Sequence, residues 1–225
     1  MVDRVDEGGS AGGSARSEYE RRKAKDEARV RQTWGEGRIG SIAVALTPER
    51  QSTRAWAVGA AGEEKVARHL DSIASDALRA LHDRRIPRTR ANIDHLVVTG
   101  HGVWVVDAKR YRDKRPSLRV EGGIIRPRTE TLLVGGRDRS NLVGGVLRQV
   151  ERVRAVVEDV PVRGVLCFVD ADWPLFGGEF AIGGVDVLWP GKLLKMLQTP
   201  TDAACDIAAT ADLLAASFPR AVARG

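Results

Sequence analysis

Two aspartates and a lysine stand on what the sequence predicts to be a β-hairpin. The apolar runs IDHLVV and VWVVDAK flank a turn at Thr99–Gly102, a pattern typical of two antiparallel strands. With the hairpin closed at this turn, Asp94 lies opposite Asp107. Asp107 and Lys109 project from the same side of their strand, because side chains alternate along a strand. The spacing therefore predicts two carboxylates and an amine at one spot.

Like charges directly opposite each other destabilise an antiparallel pair, so the two aspartates need compensation. A hard divalent cation would supply it. Mg²⁺ takes oxygen ligands, often only one or two carboxylates, and completes its coordination with water and substrate phosphate. The residues therefore predict a metal site with Asp94 and Asp107 as ligands and Mg²⁺, or Mn²⁺, as the cation. The alternative is that Lys109 alone neutralises the two aspartates at the end of a sheet.

Two further polar side chains interrupt the apolar faces of predicted helices. In a helix expected over about residues 60–72, Glu63 extends the apolar stripe backward by one turn, which makes it a further candidate ligand. A glutamate in the first helical turn, stabilised by the helix dipole, is an equal alternative. Gln149 interrupts the stripe of a helix expected over about residues 139–157, and taken alone it carries little weight.

Positive charge is concentrated in the middle of the chain. The 225 residues hold 36 Lys+Arg and 30 Asp+Glu, a net charge of +6, but residues 84–128 alone hold twelve basic and four acidic side chains. A polyanion-binding surface needs such a basic patch rather than a basic average. We therefore expect contact with a nucleic-acid backbone; the alternative is a set of solvated strand edges that cations protect from pairing. The candidate nucleic-acid-binding residues are Arg88, Arg90, Arg110, Tyr111, Arg112, Lys114 and Arg115.

Cysteine content, length and hydropathy exclude several classes of protein. Cys167 and Cys205 form no C-x-x-C motif, and the four histidines lack metal-ligand spacing, so no zinc site is expected. A chain of this length folds around a real core without disulfide staples. No apolar run reaches the roughly 18 residues of a membrane span, and the first residues lack the apolar core of a signal peptide. We expect a cytoplasmic protein without membrane contact.

The elements that must position these residues follow the order helix, three strands, helix, strand and helical tail. Residues 1–16 are rich in Gly, Ser and acidic side chains and predict a disordered leader, and residues 17–56 predict a charged N-terminal helix and a connecting segment. Residues 57–198 form the expected domain, and residues 199–225 a C-terminal helix and tail. The expected strands lie near residues 77–85, 93–98, 103–109, 118–120, 123–126, 131–134, 163–170 and 185–189.

Four pieces of the sequence, taken in order, resemble the NERD (nuclease-related) domain, a branch of the PD-(D/E)XK, restriction-endonuclease-like nucleases. They are G-E-x-x-V at 62–66, I-D-H at 93–95, G-V-W-V-V-D-A-K at 102–109, and a later helix that bears Gln149. The resemblance covers residues 57–197. Two positions depart from the family pattern: Asp107 stands where many members have Glu, and the Asn-Pro often found shortly before the helical Gln is absent.

The resemblance implies an α/β fold. Its αβββαβ core has a mixed central sheet flanked by helices, and the N-terminal charged helix and the C-terminal helical tail lie outside that core. The resemblance also implies that Asp94 and Asp107 bind metal, that Lys109 positions the attacking water or stabilises the transition state, and that Glu63 and Gln149 support them. It implies no particular substrate.

Together, the residues and the resemblance predict divalent-metal-dependent hydrolysis of phosphodiester bonds in DNA, with little sequence preference because backbone contacts dominate. Two alternatives stay open. One is a catalytically silent nucleic-acid-binding or protein-interaction module on the same fold, and the other is a nuclease directed at RNA. A homo-oligomer, or a protein partner bound through the N-terminal helix or the C-terminal tail, is open as well.

Overall fold

The structure, a computed structural model, describes residues 12–35, 37, 51–123, 126–200 and 205–221. Within these ranges the helices are α1 (Gly13–Trp34), α2 (Gln51–Asp71), α3 (Ser140–Val157), α4 (Pro190–Leu197) and α5 (Ile207–Ser217). The strands are β1 (Leu78–Arg85), β2 (Asn92–Thr99), β3 (Gly102–Arg110), β4 (Pro116–Glu121), β5 (Thr129–Val134), β6 (Arg137–Asp138), β7 (Val162–Val169), β8 (Phe180–Ile182) and β9 (Val185–Leu188). None of the helices in these ranges combines the length and apolar character that crossing a membrane requires.

A mixed six-stranded sheet forms the centre of the fold, in the order β1-β2-β3-β7-β9-β8. β1, β2 and β3 are antiparallel neighbours, whereas β7 is parallel to β3 and β9 is parallel to β7. β3 and β7 are buried along most of their length, as expected of central strands covered on both faces. A second, three-stranded sheet consists of β4, β5 and β6.

Helices cover both faces of the large sheet and enclose an apolar core on each. On one face, Val66 and Leu70 of α2 and Leu193 of α4 pack against Trp104 and Cys167 of the sheet. On the other face, α3 and α5 pack against the sheet, and α3 contributes the buried stripe Val143, Val146, Val150, Val153 and Val157. The predicted α/β fold is thereby confirmed, with α2, β1, β2, β3, α3 and β7 in the expected αβββαβ order.

The hairpin register agrees with the prediction. Val98 pairs with Val103, and the β2–β3 ladder extends to the pair of His95 and Val106. The ladder ends there, one position before Asp94 and Asp107 would face each other. A one-residue slip would have moved every side chain of the hairpin to the opposite face of the sheet, so this register decides where the two aspartates lie.

Both N-terminal helices begin earlier than predicted. α1 begins at Gly13 rather than at residue 17, because the carboxylate of Asp83 accepts hydrogen bonds from the backbone N–H and the Oγ of Ser14, both at 2.7 Å, and so caps the helix from β1. α2 begins at Gln51 rather than near residue 60. Glu63 therefore lies well inside α2, and the first-turn alternative for this residue does not apply.

Other predicted boundaries differ by a few residues or fall outside the described part of the chain. The strand predicted at 123–126 lies partly outside it, and Gly123 donates a backbone hydrogen bond to Arg126 across a turn. α5 begins at Ile207, where the side chain of Asp206 accepts a hydrogen bond from the N–H of Ala209 at 3.0 Å. The short strands β6 and β8 were not predicted. Residues 1–11 of the predicted leader, residues 38–50 of the connecting segment, and residues 201–204 and 222–225 of the predicted tail are not described.

Candidate active site

Four strands of the large sheet begin or end at the same edge of it. β1 ends there, the antiparallel β2 begins there, and the parallel β3 and β7 both end there. α2 passes close to this edge. A Cβ on Gly62 would lie 3.0 Å from the Cβ of Arg110 at the end of β3, so the glycine lets helix and strand approach closely. Glu63 follows Gly62 directly and is thereby brought to the same edge.

Four of the predicted site residues meet here and define what we call the acidic edge: Glu63, Asp94, Asp107 and Lys109. The Nζ of Lys109 lies 2.7 Å from Oδ2 of Asp107, and Asp107 is only 8% exposed. Asp94, one residue beyond the ladder, accepts a hydrogen bond from the backbone N–H of Ala108 at 2.9 Å. Each aspartate is thus held by a different donor on β3.

The carboxylates of the acidic edge repel one another in a poorly solvated place. Burial, and then the charge of Asp94, raises the pKa of Glu63 to about 9. Burial, and then the charge of Asp107, raises the pKa of Asp94 to about 7. Burial lowers the pKa of Lys109, but Asp107 and Asp94 outweigh that effect and hold it above its ordinary value. Lys109 therefore stays charged while the fold leaves an excess of negative potential around it.

This donor set fits a hard divalent cation. Asp94 and Asp107 each have one carboxylate oxygen engaged by a donor, and among the described residues the second oxygen of each accepts no hydrogen bond. Within those same residues, no group of three or more His, Cys, Asp or Glu side chains is arranged as a ready-made metal cage. Mg²⁺ needs no such cage, because it binds through one or two carboxylates and fills its remaining positions with water and phosphate.

Gln149 lies on α3, next to the buried Val150. Its Oε1 is buried, and no described residue donates a hydrogen bond to it. No hydrogen bond in the described part of the chain links Gln149 to the acidic edge. The structure therefore presents Gln149 as a buried, unsatisfied acceptor on the helix that covers one face of the sheet.

The candidate nucleic-acid-binding residues lie in the segments that border the acidic edge. Arg88 and Arg90 are exposed in the loop between β1 and β2, just before Asp94 in sequence. Residues 111–115 follow the end of β3, and the side chains of Arg112, Lys114 and Arg115 are exposed there. The topology thus brings cations from two separate loops to the acidic edge.

Three members of the predicted set are engaged within the fold: Arg115 pairs with Asp172 at 3.0 Å, and Arg110 and Tyr111 contact residues at the end of β7. The Nε of Arg110 donates to Oδ2 of Asp170 at 2.8 Å, so this guanidinium is already paired. Tyr111 is partly buried, and its ring centroid lies 5.7 Å from that of Phe168. Both side chains anchor the end of β3 to the end of β7.

Asp170, which follows β7, was not among the predicted site residues. It accepts hydrogen bonds from Lys65 of α2 and from Arg110 of β3, and these two partners, Lys65 first, hold its pKa below the ordinary value. Asp170 therefore joins three elements beside the acidic edge. Its sequence signal is its position directly after a buried parallel strand, where polar side chains of α/β sheets often reach a site.

A buried pair of histidines next to Asp94 was also not predicted from the sequence. Nδ1 of His82 and Nδ1 of His95 lie 2.9 Å apart, and Nε2 of His82 lies 2.8 Å from Oδ1 of Asp71 on α2. Burial holds the pKa of His95 well below its ordinary value, so its ring is neutral. Since His95 directly follows Asp94, the pair ties the start of β2 to β1 and α2. The β1–β2 register, which places the two histidines opposite each other, is the signal that identifies them.

Comparison with known proteins identifies one family in the chain. No curated protein and no solved structure shows a significant match to the chain. Residues 58–169 match the family described as NERD, the nuclease-related domain. The matched range begins in α2 before Glu63 and ends with β7, so it contains the whole acidic edge and the αβββαβ core. The chain therefore belongs, through residues 58–169, to the NERD family of nuclease-related domains.

Proposed function

We propose that this protein is a divalent-metal-dependent nuclease that hydrolyses phosphodiester bonds of DNA with little sequence preference. The observation that carries the proposal is the meeting of Asp94 and Asp107 with the charged Lys109 at one edge of the sheet. Membership of a nuclease-related family supports the same reaction class.

In this proposal the protein's own groups hold charge in fixed places. Asp107 positions the ammonium of Lys109, and that ammonium faces the negative charge that a phosphoryl group gains in the transition state. The N–H of Ala108 holds one carboxylate oxygen of Asp94 in place. The second carboxylate oxygen of Asp94 is thereby left to accept a ligand. Because these groups are fixed before substrate arrives, the reaction needs little rearrangement of dipoles.

Asp94 and Asp107 would hold the cation, Mg²⁺ or Mn²⁺, through carboxylate oxygens, and Glu63 would support them as a further ligand or through a bound water. When bound, such a cation supplies a Lewis acid that polarises a phosphate oxygen and lowers the pKa of a bound water. Binding would also relieve the repulsion that raises the pKa values of Glu63 and Asp94, so the cation and the three carboxylates stabilise one another.

The exposed cations around the acidic edge would hold the nucleic-acid backbone. Arg88 and Arg90 on one side, and Arg112 and Lys114 on the other, are suited to phosphate oxygens, which carry no sequence information. Binding through phosphate is strong at low salt and weak at high salt, since it depends on counterion release. Little sequence preference and a steep salt dependence are therefore expected together.

The test compares the wild-type protein with the Asp107→Ala and Lys109→Ala variants. Linear, circular and single-stranded DNA, and a matching RNA, are incubated with each protein in Mg²⁺, Mn²⁺ or EDTA. We expect cleavage of DNA by the wild type alone, abolished by EDTA and reduced about 100-fold or more in each variant. Asp76→Ala, which removes an exposed aspartate from the turn before β1, is the matched control and is expected to cleave normally.

Each other outcome has a definite meaning. Equal cleavage by the wild type and Asp107→Ala would contradict the site. Absence of cleavage, with equal salt-sensitive binding by all variants, would favour a silent nucleic-acid-binding module. Preferential cleavage of RNA would keep the site and the reaction but replace the substrate.

A further inference from the structure

Two large apolar side chains stand almost fully in solvent on a loop that begins beside the acidic edge. Leu175 is 96% exposed and Phe176 is 92% exposed, whereas the other exposed large apolar side chains among the described residues are at most 45% exposed. They are consecutive, and they form the tip of the segment between β7 and β8 (residues 170–179). We call this segment the β7–β8 loop.

The root of the β7–β8 loop is fixed to the elements that carry the acidic edge. Asp170, its first residue, binds Lys65, two residues after Glu63, and Arg110, the residue after Lys109. The loop therefore starts where α2, β3 and β7 meet, next to residues of the acidic edge.

The base of the loop is packed, so the tip is held out from the surface. The ring of Trp173 lies 5.2 Å from the ring of Trp189 and 6.5 Å from that of Phe168. A Cβ on Gly178 would lie 2.7 Å from the ring of Pro174, which shows that the two arms of the loop are in close contact. The exposed dipeptide therefore stands on a supported turn.

The loop runs beside the exposed cations of residues 111–115. The N–H of Asp113 donates to the carbonyl of Asp170, and the N–H of Asp172 donates to the carbonyl of Lys114, both at 3.2 Å. Arg112, Lys114 and Arg115 are exposed along this shared border. The first residues of the loop that carries the apolar tip thus adjoin the proposed phosphate-binding surface.

The acidic residues of the loop would repel an anionic partner only weakly, because each of them is paired with a cation. Asp170 is paired with Lys65 and Arg110, Asp172 with Arg115 at 3.0 Å, and Glu179 with Lys192 at 2.7 Å. With every carboxylate of the loop matched by a cation, the tip presents an uncharged apolar surface.

We propose that Leu175 and Phe176 insert into the base stack of the bound DNA, next to the phosphodiester held at the acidic edge. The inference rests on the proposed function for the identity of the ligand. Apolar side chains find no partner in phosphate or sugar, but they pack on the faces of bases, and Phe and Leu are common wedges between base steps. The tip thereby orients the strand while the cations hold its backbone.

The experiment uses full-length protein carrying Asp107→Ala, so that the DNA stays intact, with and without the double change Leu175→Ser and Phe176→Ser. Duplex and single-stranded DNA contain 2-aminopurine, whose fluorescence rises when its stacking is disturbed. We expect the intact tip to raise the fluorescence several-fold on binding. We expect the altered tip to give no rise and to bind about tenfold more weakly, which lies within the range for loss of one stacked base.

Leu213→Ser, which alters a half-exposed leucine on α5, is the matched control and is expected to behave like the parent protein. Circular dichroism checks folding, and all three serine changes fall on solvent-exposed side chains outside the core. A response with duplex identifies insertion between base pairs, and a response with single strands alone identifies a stacking platform; either supports the proposal.

A fluorescence rise that survives the altered tip would overturn the proposal, and so would equal affinity of the two proteins. Cleavage by the wild type without tip-dependent fluorescence would leave the proposed function standing and remove only this inference. Tip-dependent fluorescence without cleavage by the wild type would support this inference and remove the proposed nuclease activity. Absence of DNA binding by every variant would remove both.

Discussion

Glu63 and Asp94 are carboxyl groups whose ionised form the fold does not stabilise. Burial and the neighbouring carboxylates raise the pKa of Glu63 from 4.5 to about 9 and that of Asp94 from 3.8 to about 7. Asp83, which caps α1, adds to the repulsion at both residues. At the residue scale, the acidic edge is therefore costly to ionise, and the cation proposed above would lower that cost.

This arrangement predicts how stability depends on pH in the absence of metal. Between pH 4.5 and 9, the folded protein keeps a proton on Glu63 that the unfolded chain releases, so the free energy of unfolding falls as the pH rises through this window. We expect the Glu63→Gln variant to have a flatter profile. At pH 8 it should be more stable than the wild type by at least about 1.4 kcal/mol, the free energy of one unit of pKa.

Urea unfolding in EDTA at several pH values measures the effect. Glu64→Gln is the matched control, because Glu64 neighbours Glu63 but pairs with Arg16 instead of facing the aspartates. Its profile is expected to keep the wild-type slope. A wild-type stability that rises between pH 5 and 9, or an unchanged slope in Glu63→Gln, would contradict the electrostatic account.

At the scale of elements, the features that local pattern determines were predicted well. The turn at Thr99–Gly102 and the apolar runs on either side fix the hairpin register, and that register alone is enough to place Asp94 and Asp107 near each other on adjacent strands. The valine stripe of α3 likewise fixes which face of that helix is buried. Such signals lie within a few residues of each other, so a sequence displays them directly.

Features that depend on distant contacts were not predictable in the same way. α1 has almost no apolar stripe, and its start is set by Asp83, which lies 69 residues from Ser14 in sequence. The role of Asp170 depends on Lys65, 105 residues earlier. The boundaries of α1 and the root of the β7–β8 loop are therefore tertiary properties, and no local pattern reports them.

The docking of α1 gives a prediction at this scale. Asp83→Ala removes the cap of α1, and loss of such a cap costs about 0.5–2 kcal/mol. We expect the amides of the first turns of α1 to exchange with deuterium about 2- to 30-fold faster, measured by mass spectrometry. Asp83→Asn, which keeps one acceptor oxygen and tolerates the positive φ of 48° at this position, should have a smaller effect.

Asp76→Ala serves as the control, since Asp76 is exposed and precedes the same strand. Its exchange in α1 is expected to match the wild type. If Asp83→Ala leaves the exchange of α1 unchanged while the cap is gone, the contacts of α1 with α2, such as Arg22 over the ring of Trp56, are sufficient to hold the helix.

At the scale of the whole molecule, the topology explains how a modest net charge of +6 produces a strongly basic working surface. The β1–β2 loop and the segment after β3 come from different parts of the sequence, but both emerge at the edge where the carboxylates lie. The acids of that edge are buried or half-buried, whereas Arg88, Arg90, Arg112 and Lys114 are exposed. The surface that DNA would meet is therefore positive even though the site beneath it is acidic.

The salt dependence of DNA binding tests this surface directly. Each protein cation that neutralises a phosphate contributes about −0.9 to the slope of log Kobs against log salt concentration. The double variant Arg112→Ala and Lys114→Ala should therefore have a slope shallower by about 1.8, measured by fluorescence anisotropy in EDTA. Arg152→Ala with Lys195→Ala removes the same charge from exposed positions on α3 and α4, and should leave the slope near that of the wild type. If both double variants make the slope shallower by the same amount, the net charge of the protein, rather than the loops at the acidic edge, governs binding. The proposed phosphate path would then have to be abandoned.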